Sequence, residues 1–222
     1  HQIPRLLEER IEVDAFLTVS SPMDDAGFLS LGPCIAYAAA AARKARRVVV
    51  EVNERCPRIP GEAALHISEV DAVVEHTEPL FAVARRPSGP VDGKIGRAIA
   101  SEIPDGATLQ LGVGALPDAL TACLGGHRDL GIHTELFTPG MRDLIEQGVV
   151  TGQRKTLLPR RHVFTLALGD AGLYEFLDGN SALEGRPCSF TNDPVVIAEN
   201  DRMISVNSIL EVDLYGQVND EF

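Results

Sequence analysis

Two features of residues 105–143 could together carry out chemistry: a turn that contains glycine, and a glutamate in the predicted strand that follows it. The turn is Gly112-Val113-Gly114, and the glutamate is Glu135. Backbone N–H groups at a turn between a strand and a helix can bind a carbonyl oxygen that becomes negative during a reaction. Glycine lets a ligand approach the main chain closely. We predict that Val113 and Gly114 supply such N–H groups, that Gly112 contacts the substrate, and that Glu135 reacts with it.

Regular elements must hold these residues in place. Thr108 to Leu111 is rich in aliphatic residues and predicts a buried strand, and Gly131 to Leu136 predicts a second. Pro117 is expected to open the helix between them, because the first turn of a helix needs no backbone donor. Each feature also has a simpler explanation. The Gly-x-Gly turn could be free of any ligand, since the third glycine of a dinucleotide-binding loop is missing, and the glutamate could be a solvated residue at a strand end.

The first third of the chain predicts a strand, a helix and a strand in succession. Asp14 to Val19 is expected to form a short buried strand, Ala36 to Arg46 a helix rich in alanine, and Arg47 to Val52 a β-branched strand. This alternation predicts a parallel sheet covered by helices. The small alanine side chains indicate a helix that packs closely on the sheet.

A segment without periodicity divides the chain. Glu78 to Gly93 contains three prolines and predicts a linker, after which Gly93 to Glu102 has the apolar spacing of a helix. We therefore predict two α/β domains, residues 1–87 and residues 88–222.

Composition narrows the possible functions. The formal net charge of −12 argues against a nucleic-acid partner, because a phosphate backbone requires a basic face. Four scattered cysteines without a CxxC pair indicate neither a zinc site nor a disulfide framework. The sequence shows no apolar run long enough to span a membrane and no secretory segment, so we expect no membrane partner and a cytoplasmic protein.

Six segments, in one order over almost the whole chain, carry a resemblance to a known family. They are SPMDDAGFLSLG (21–32), VEVN with PRIPG (50–53 and 57–61), DGATLQLGVGALPD (105–118), GIHTELF (131–137), TNDP (191–194) and LEVDLYGQVN (210–219). They resemble the acetyl-CoA hydrolase/transferase family of the class I CoA-transferases. The chain differs from the family pattern at Met23, where proline is usual, and at Pro139, where a small or acidic residue is common.

The resemblance implies a fold and a set of partners. The fold would be α/β, with tandem CoA-transferase-type domains whose mainly parallel sheets are covered by helices. Residues 1–87 would be the C-terminal part of the first domain and residues 88–222 the start of the second. The chain would be incomplete at both ends, since family members are longer and their GGQxDF motif is absent here. The partners would be an acyl-CoA and a short-chain carboxylate, with CoA thioester as substrate, no permanently bound cofactor, no metal, and a homodimeric assembly.

The resemblance also implies a reaction. Glu135 would attack a thioester carbonyl, and a glutamyl-CoA thioester would carry CoA to a carboxylate of the acetate or 4-hydroxybutyrate type. The apolar neighbours Ile132, Leu136 and Phe137 would make this carboxylate more reactive. They would also oppose its ionisation, so a hydrogen-bond donor would be required to keep it charged. An acyl-CoA hydrolase on the same scaffold, and a catalytically incomplete fragment that binds CoA, are alternatives.

Other residues are candidates for the site beside Glu135. The resemblance implies that Asn192 binds the acyl or CoA part of the substrate, although an Asx turn before a proline would also explain an asparagine there. Glu211 and Asp213 are rival nucleophiles on one face of a predicted strand, where solvent explains them equally well. His133 is interpreted as structural or as a pocket wall, because a carboxylate nucleophile needs no general base. No serine lies in a G-x-S-x-G motif.

Overall fold

The computed structural model describes residues 2–85 and 87–219. The first part contains α1 (Gln2–Glu9), β1 (Phe16–Ser20), β2 (Phe28–Ser30), α2 (Ala38–Lys44), β3 (Val48–Val52), β4 (Ala64–His66), a 3-10 turn (Ile67–Glu69) and β5 (Ala72–Glu75). The second contains α3 (Pro90–Glu102), β6 (Thr108–Leu111), α4 (Ala115–Cys123), β7 (Gly131–Phe137), α5 (Pro139–Glu146), β8 (His162–Ala167), α6 (Ala171–Leu177), β9 (Leu183–Gly185), α7 (Cys188–Thr191), α8 (Pro194–Ala198), β10 (Met203–Val206), β11 (Glu211–Val212) and β12 (Val218–Asn219). The predicted α/β class is confirmed.

Strands β1, β3 and β5 form a parallel sheet in the first part, in the order β1-β3-β5. Helix α2 follows β2 in the connection from β1 to β3. Four of its alanines are buried, which allows the close packing that the sequence predicts. The helix is shorter than the predicted span from Ala36 to Arg46. Ala36 has a φ of +27°, in the left-handed region, so a right-handed helix cannot begin there.

Five strands of the second part form a larger parallel sheet in the order β10-β6-β7-β8-β9. Its central strands and the helices α3, α4, α5 and α6 bury a shared hydrophobic core that includes Leu109, Leu120, Ile132, Phe164 and Leu173. Parallel strands are normally covered on both faces, which explains why these strands are so apolar. Mainly parallel sheets covered by helices were predicted, and this arrangement is confirmed.

Helix α3 begins earlier than the sequence analysis predicted. Residues 90–93, which we assigned to the linker, form its first turn, with Pro90 at the position where proline is most favourable. The backbone N–H of Gly89 donates to Asp92 Oδ2 at 2.8 Å and closes this end of the helix. The predicted linker is therefore three to four residues shorter, and its Arg86 lies outside the described residues. The domain boundary at residue 87 stays a prediction.

The larger sheet has two different faces near the ends of β6 and β7. Side chains alternate along a strand, so Leu109, Leu111 and Ile132 project into the hydrophobic core. Gln110, His133 and Glu135 then belong to the opposite face. This second face carries polar side chains and the short helix α7, and it contains the candidate site.

Candidate active site

Glu135 lies near the carboxyl end of β7, and its side chain is exposed. The apolar surroundings expected for it are not observed, because Ile132 lies on the opposite face and Phe137 is buried in the core. The sequence order placed these residues beside Glu135, but the alternation of the strand turns Ile132 away from it. The carboxylate is therefore available to a ligand that approaches from solvent.

Asn192 is the hydrogen-bond donor that Glu135 was expected to require. It directly follows α7, and its Nδ2 donates to Glu135 Oε2 at 2.6 Å. The Asx turn before Pro194 exists, but Asp193 forms it: Asp193 Oδ1 accepts from the Val195 N–H at 2.7 Å. Because Asp193 caps α8, the Asn192 side chain is left to contact the carboxylate.

The glycine turn follows β6, the strand adjacent to β7. Gly114 has a φ of +118° and directly precedes α4, which begins at Ala115, two residues before the predicted start at Pro117. A side chain added at Gly114 would meet nothing within 4 Å, so the space in front of this residue is open. Within residues 2–85 and 87–219, neither the Val113 N–H nor the Gly114 N–H has a hydrogen-bond acceptor. Both donors are therefore free to receive a ligand oxygen.

Gly112 has a different environment from the rest of the turn. Its N–H donates to the Val206 carbonyl at 2.9 Å, so it continues the pairing of β6 with β10. A Cβ at Gly112 would come within 2.9 Å of Asn207 Oδ1. The residue must be small because Asn207 packs over it, and the structure shows no comparable opening toward a ligand.

The turn and Glu135 are brought together by the ends of two paired strands. Thr134 Oγ1 donates to the Leu111 carbonyl at 3.3 Å, which ties the residue before the turn to the residue before the glutamate. Carboxyl ends of adjacent parallel strands lie at one edge of a sheet, where α/β proteins usually bind ligands. The structure therefore places free N–H groups and a carboxylate at the same edge.

A cavity of about 270 Å³ opens beside Glu135. Gln110, Ser205 and Asn207 line it and bond to one another, with Asn207 Nδ2 donating to Gln110 Oε1 at 2.9 Å and Gln110 Nε2 donating to Asn207 Oδ1 at 3.0 Å. Sequence analysis missed this polar group, although Gln110 between two buried leucines was a visible signal. Among the described lining residues, Glu135 carries the only full charge. The phosphates of a CoA ligand would therefore have to bind elsewhere.

A second cavity, of about 810 Å³, lies between the two parallel sheets. Its lining is mainly aliphatic and includes Leu17, Val49, Leu136 and Leu166. Strand β7 separates the two cavities, since Leu136 faces the larger one and Glu135 the smaller. The exposed carboxylate of Glu135 therefore belongs to the smaller cavity.

His133 is buried, and its Nε2 lies 2.8 Å from the Thr191 carbonyl oxygen, to which it donates. Burial lowers the pKa of His133 to about 4, the bond to Thr191 opposes this shift, and the nearby positive charge of Lys155 adds to it. The imidazole is therefore neutral at neutral pH. It points to the backbone of α7, which agrees with a structural interpretation and excludes a dyad with Glu135.

Two further buried ionisable residues, Lys155 and His162, were missed by sequence analysis. Lys155 Nζ donates to the carbonyl oxygens of Ile132, at 2.9 Å, and Arg161, at 2.7 Å. Burial lowers the pKa of Lys155 to about 7, while the charge of Glu184 opposes the shift. Burial, with the charge of Lys155, also lowers the pKa of His162 to about 4. No motif indicates these residues, because they meet only after β7 and β8 pair.

The rival nucleophiles lie in a separate two-stranded antiparallel ribbon, β11–β12. Glu211 Oε1 accepts from Asn219 Nδ2 at 3.1 Å, and Asp213 Oδ1 accepts from the N–H groups of Tyr215 and Gln217. Both carboxylates are exposed, and neither lines the cavity of Glu135. Asp213 forms a turn, so the structure supports the solvent interpretation for both.

The described residues bring one set of possible metal ligands together: Glu51, His76 and Glu78, whose ligand atoms lie within 4.8 Å of one another. Sequence analysis did not identify this group, since its members become neighbours only when β3 pairs with β5. All four cysteines are free thiols. No helix in the described ranges combines the length and the apolarity that crossing a membrane requires.

Two domains of one protein family match parts of this chain. The acetyl-CoA hydrolase/transferase N-terminal domain matches residues 2–84, and the C-terminal domain of the same name matches residues 169–222. The chain belongs to the acetyl-CoA hydrolase/transferase family. The resemblance found in the sequence is thereby confirmed.

Similar proteins include enzymes named as CoA-transferases. A succinyl-CoA:cyclohexane-1-carboxylate CoA transferase of Geobacter metallireducens is 43% identical over 98% of this chain and 50% of its own length. A 4-hydroxybutyrate coenzyme A transferase of Clostridium kluyveri is 40% identical over 100% of this chain and 52% of its own length. The crystal structure of RipA from Yersinia pestis is 50% identical, with a TM-score of 0.97 over 100% of this chain and 52% of that one. The chain thus spans about half the length of the curated relatives it matches.

Proposed function

We propose that this chain carries the nucleophile of a CoA-transferase that moves CoA between a short-chain acyl-CoA and a carboxylate, with Glu135 as the reacting group. The observation that carries this proposal is the 2.6 Å hydrogen bond from Asn192 Nδ2 to Glu135 Oε2. The Val113 and Gly114 N–H groups, which have no acceptor among the described residues, lie at the same edge of the sheet. Asn192 holds one carboxylate oxygen, and the other remains free to attack. The enzyme class of the named relatives supports the same conclusion.

The reaction begins when the free oxygen of Glu135 attacks the thioester carbonyl. The Val113 and Gly114 N–H groups receive the oxygen that becomes negative, the C–S bond breaks, and CoA leaves as a thiolate with an acyl-glutamyl anhydride behind it. The thiolate then attacks the glutamyl carbonyl. The original acyl group departs as a carboxylate, and Glu135 becomes a glutamyl-CoA thioester. An incoming carboxylate reverses these steps and leaves as a new acyl-CoA. No proton needs to move, so no general base is required.

We propose acetate or 4-hydroxybutyrate as the type of carboxylate, CoA thioester as a substrate, and no permanently bound cofactor. The 270 Å³ cavity has room for a short acyl chain, with Ile197 and Met203 as apolar walls and Gln110 as a polar one. We also propose Gly112 as a substrate contact. The support for it is the position of its turn beside β7, and not an opening at Gly112 itself. We also propose a homodimer in the cytoplasm, which light scattering and fractionation would test.

Hydrolysis is the second candidate, because the exposure of Glu135 would let water reach the glutamyl thioester. The experiment is whole-protein mass spectrometry after incubation with acetyl-CoA, on this chain and on a version extended to the length of its relatives. We expect a covalent CoA adduct that is absent from Glu135→Gln. An adduct that persists in that variant would refute the assignment. An adduct seen only in the extended version would show that the present chain is a catalytically incomplete CoA-binding fragment.

A further inference from the structure

We propose that His133 is a positioning residue, which holds Asn192 against Glu135 by binding the backbone directly before Asn192. The proposal rests on the proposed function, in which Asn192 orients the attacking carboxylate. His133 lines the cavity of Glu135, but its one hydrogen bond is to the backbone of α7 and not to Glu135.

Two hydrogen bonds run in parallel between β7 and the end of α7. His133 Nε2 donates to the Thr191 carbonyl at 2.8 Å, and Asn192 Nδ2 donates to Glu135 Oε2 at 2.6 Å. His133 and Glu135 are two residues apart and lie on one face of β7, while Thr191 and Asn192 are consecutive. The two bonds therefore link the same two segments. The bond from His133 to Thr191 sets the distance between β7 and the end of α7, and the Asn192 side chain must span that distance to contact Glu135.

The bond from His133 to the Thr191 carbonyl has no ready substitute in this part of the structure. Helix α7 has four residues, and an isolated helix of that length is not stable by itself. Carbonyl groups at the end of a helix have no partner within the helix, and Thr191 is only 1% exposed, so water is a poor substitute. His133 supplies the missing donor. Without it, a buried carbonyl would lose its partner, and the segment that carries Asn192 would shift toward solvent.

The protonation state of His133 agrees with this role. Burial lowers the pKa of the imidazole to about 4, so the ring is neutral at neutral pH and has one N–H. The bond to Thr191 places that hydrogen on Nε2. His133 Nδ1 is buried and has no partner within the described part of the chain. The ring therefore makes one directed bond and serves no proton transfer to Glu135.

The test compares two variants of similar size at the same position. His133→Gln keeps an N–H donor at a similar reach, and His133→Met removes it. His162→Met is the matched control, because His162 is also a buried histidine with a lowered pKa but belongs to β8 and lies outside the cavity of Glu135. Each variant, extended to the length of the relatives, is assayed for kcat and KM with acetyl-CoA and a carboxylate acceptor, and for thermal unfolding. The Asn192 side-chain amide is followed by NMR as a measurement that is independent of turnover.

We expect His133→Met to lose kcat by about thirtyfold, the usual effect of one bond to a charged group, with KM within about threefold. His133→Gln should keep most of kcat. His162→Met should lose melting temperature without a comparable loss of kcat. The Asn192 amide should be protected from water exchange in the wild type, in His133→Gln and in His162→Met, and should lose that protection in His133→Met.

Equal kcat losses in both His133 variants, or an Asn192 amide that stays protected in His133→Met, would overturn the proposal. A wild-type protein of the extended length that protects the amide but transfers no CoA would refute the proposed function and leave the positioning intact. The two failures are therefore distinguishable.

Discussion

The two buried histidines should make this protein sensitive to acid. Burial lowers the pKa of both His133 and His162 from 6.5 to about 4. Between these two pH values, the histidines bind protons in the unfolded chain but stay neutral in the folded one. Well above pH 6.5 the histidines are neutral in both states, and their full contribution to stability is present. Lys155, whose pKa burial lowers to about 7, titrates in the folded state at the upper edge of this window. As the pH falls toward 4, the unfolded state gains protons and the free energy of unfolding decreases.

The size of this effect follows from the shift. One pKa unit corresponds to about 1.4 kcal/mol, so a shift of about 2.5 units is worth about 3.5 kcal/mol for each histidine. Together they account for about 7 kcal/mol, which is comparable with the whole stability of many domains. The lowered pKa values of Asp24, bonded by the Phe28 N–H, and Asp71, bonded by the Val48 N–H, act below the usual carboxylate value of 3.8 and fall outside this window.

The assay is urea unfolding, followed by circular dichroism, at pH values from about 7 to about 4.5. Each histidine should contribute a slope of about 1.4 kcal/mol per pH unit within the window. His162→Gln removes one titrating group, so its free energy of unfolding should fall about half as steeply as that of the wild type. Equal slopes in the two proteins would refute the reasoning, because the pH dependence would then have another source.

Three substitutions test the site. Glu135→Asp should lose about a hundredfold in turnover with the fold retained, since the attacking oxygen retreats by about one ångström, and an active variant in a steady-state assay would indicate a role through water. Asn192→Ala should lower kcat by about 10- to 100-fold through loss of the donor to Glu135, whereas an effect confined to KM would make Asn192 a mere substrate contact. Gly114→Val should abolish turnover and also lower the free energy of unfolding by about 1–3 kcal/mol, because a φ of +118° suits only glycine. Unchanged turnover with a lower melting temperature would show that the turn is scaffold alone.

The regular elements were largely predictable, because strand and helix periods are local properties of the sequence. Thr108 to Leu111 was predicted with the bounds that β6 has, and Gly131 to Leu136 falls one residue short of β7. Most errors lie at the ends of elements, where single residues decide. The left-handed Ala36 delays α2, and Pro90 begins α3 inside the predicted linker. The buried strand predicted from Asp14 to Val19 was also wrong in its burial, because β1 is only partly covered in this structure.

The site was predictable only in part. Residue types and family motifs pointed to Glu135 and Asn192, and the structure brings these two together. The surroundings were not predictable from order along the chain, because strand alternation turns Ile132 away from Glu135 and places Gln110 toward the cavity. Either Asn192 or Asp193 could have capped α8 from the sequence alone. Because Asp193 does so, Asn192 is free to donate to Glu135. The contacts of Lys155 with Ile132 and Arg161 arise from strand pairing, which no local pattern specifies.

The most direct test of the central claim is the transfer of oxygen from the acceptor to Glu135. When a labelled carboxylate attacks the glutamyl thioester, CoA leaves as a thiolate and an anhydride forms with a labelled bridging oxygen. The thiolate then attacks the acyl carbonyl and breaks its bond to that oxygen, so acyl-CoA departs and the labelled oxygen stays with the glutamate. The protein, extended to the length of its relatives, is incubated with an acyl-CoA and acetate labelled with heavy oxygen, and its peptides are mapped by mass spectrometry. We predict that label enters the peptide containing Glu135 and increases with turnover. Formation of acetyl-CoA without label at Glu135, or with label on another residue, would contradict the account, and label that enters Glu135 only from heavy water would show that the enzyme is a hydrolase.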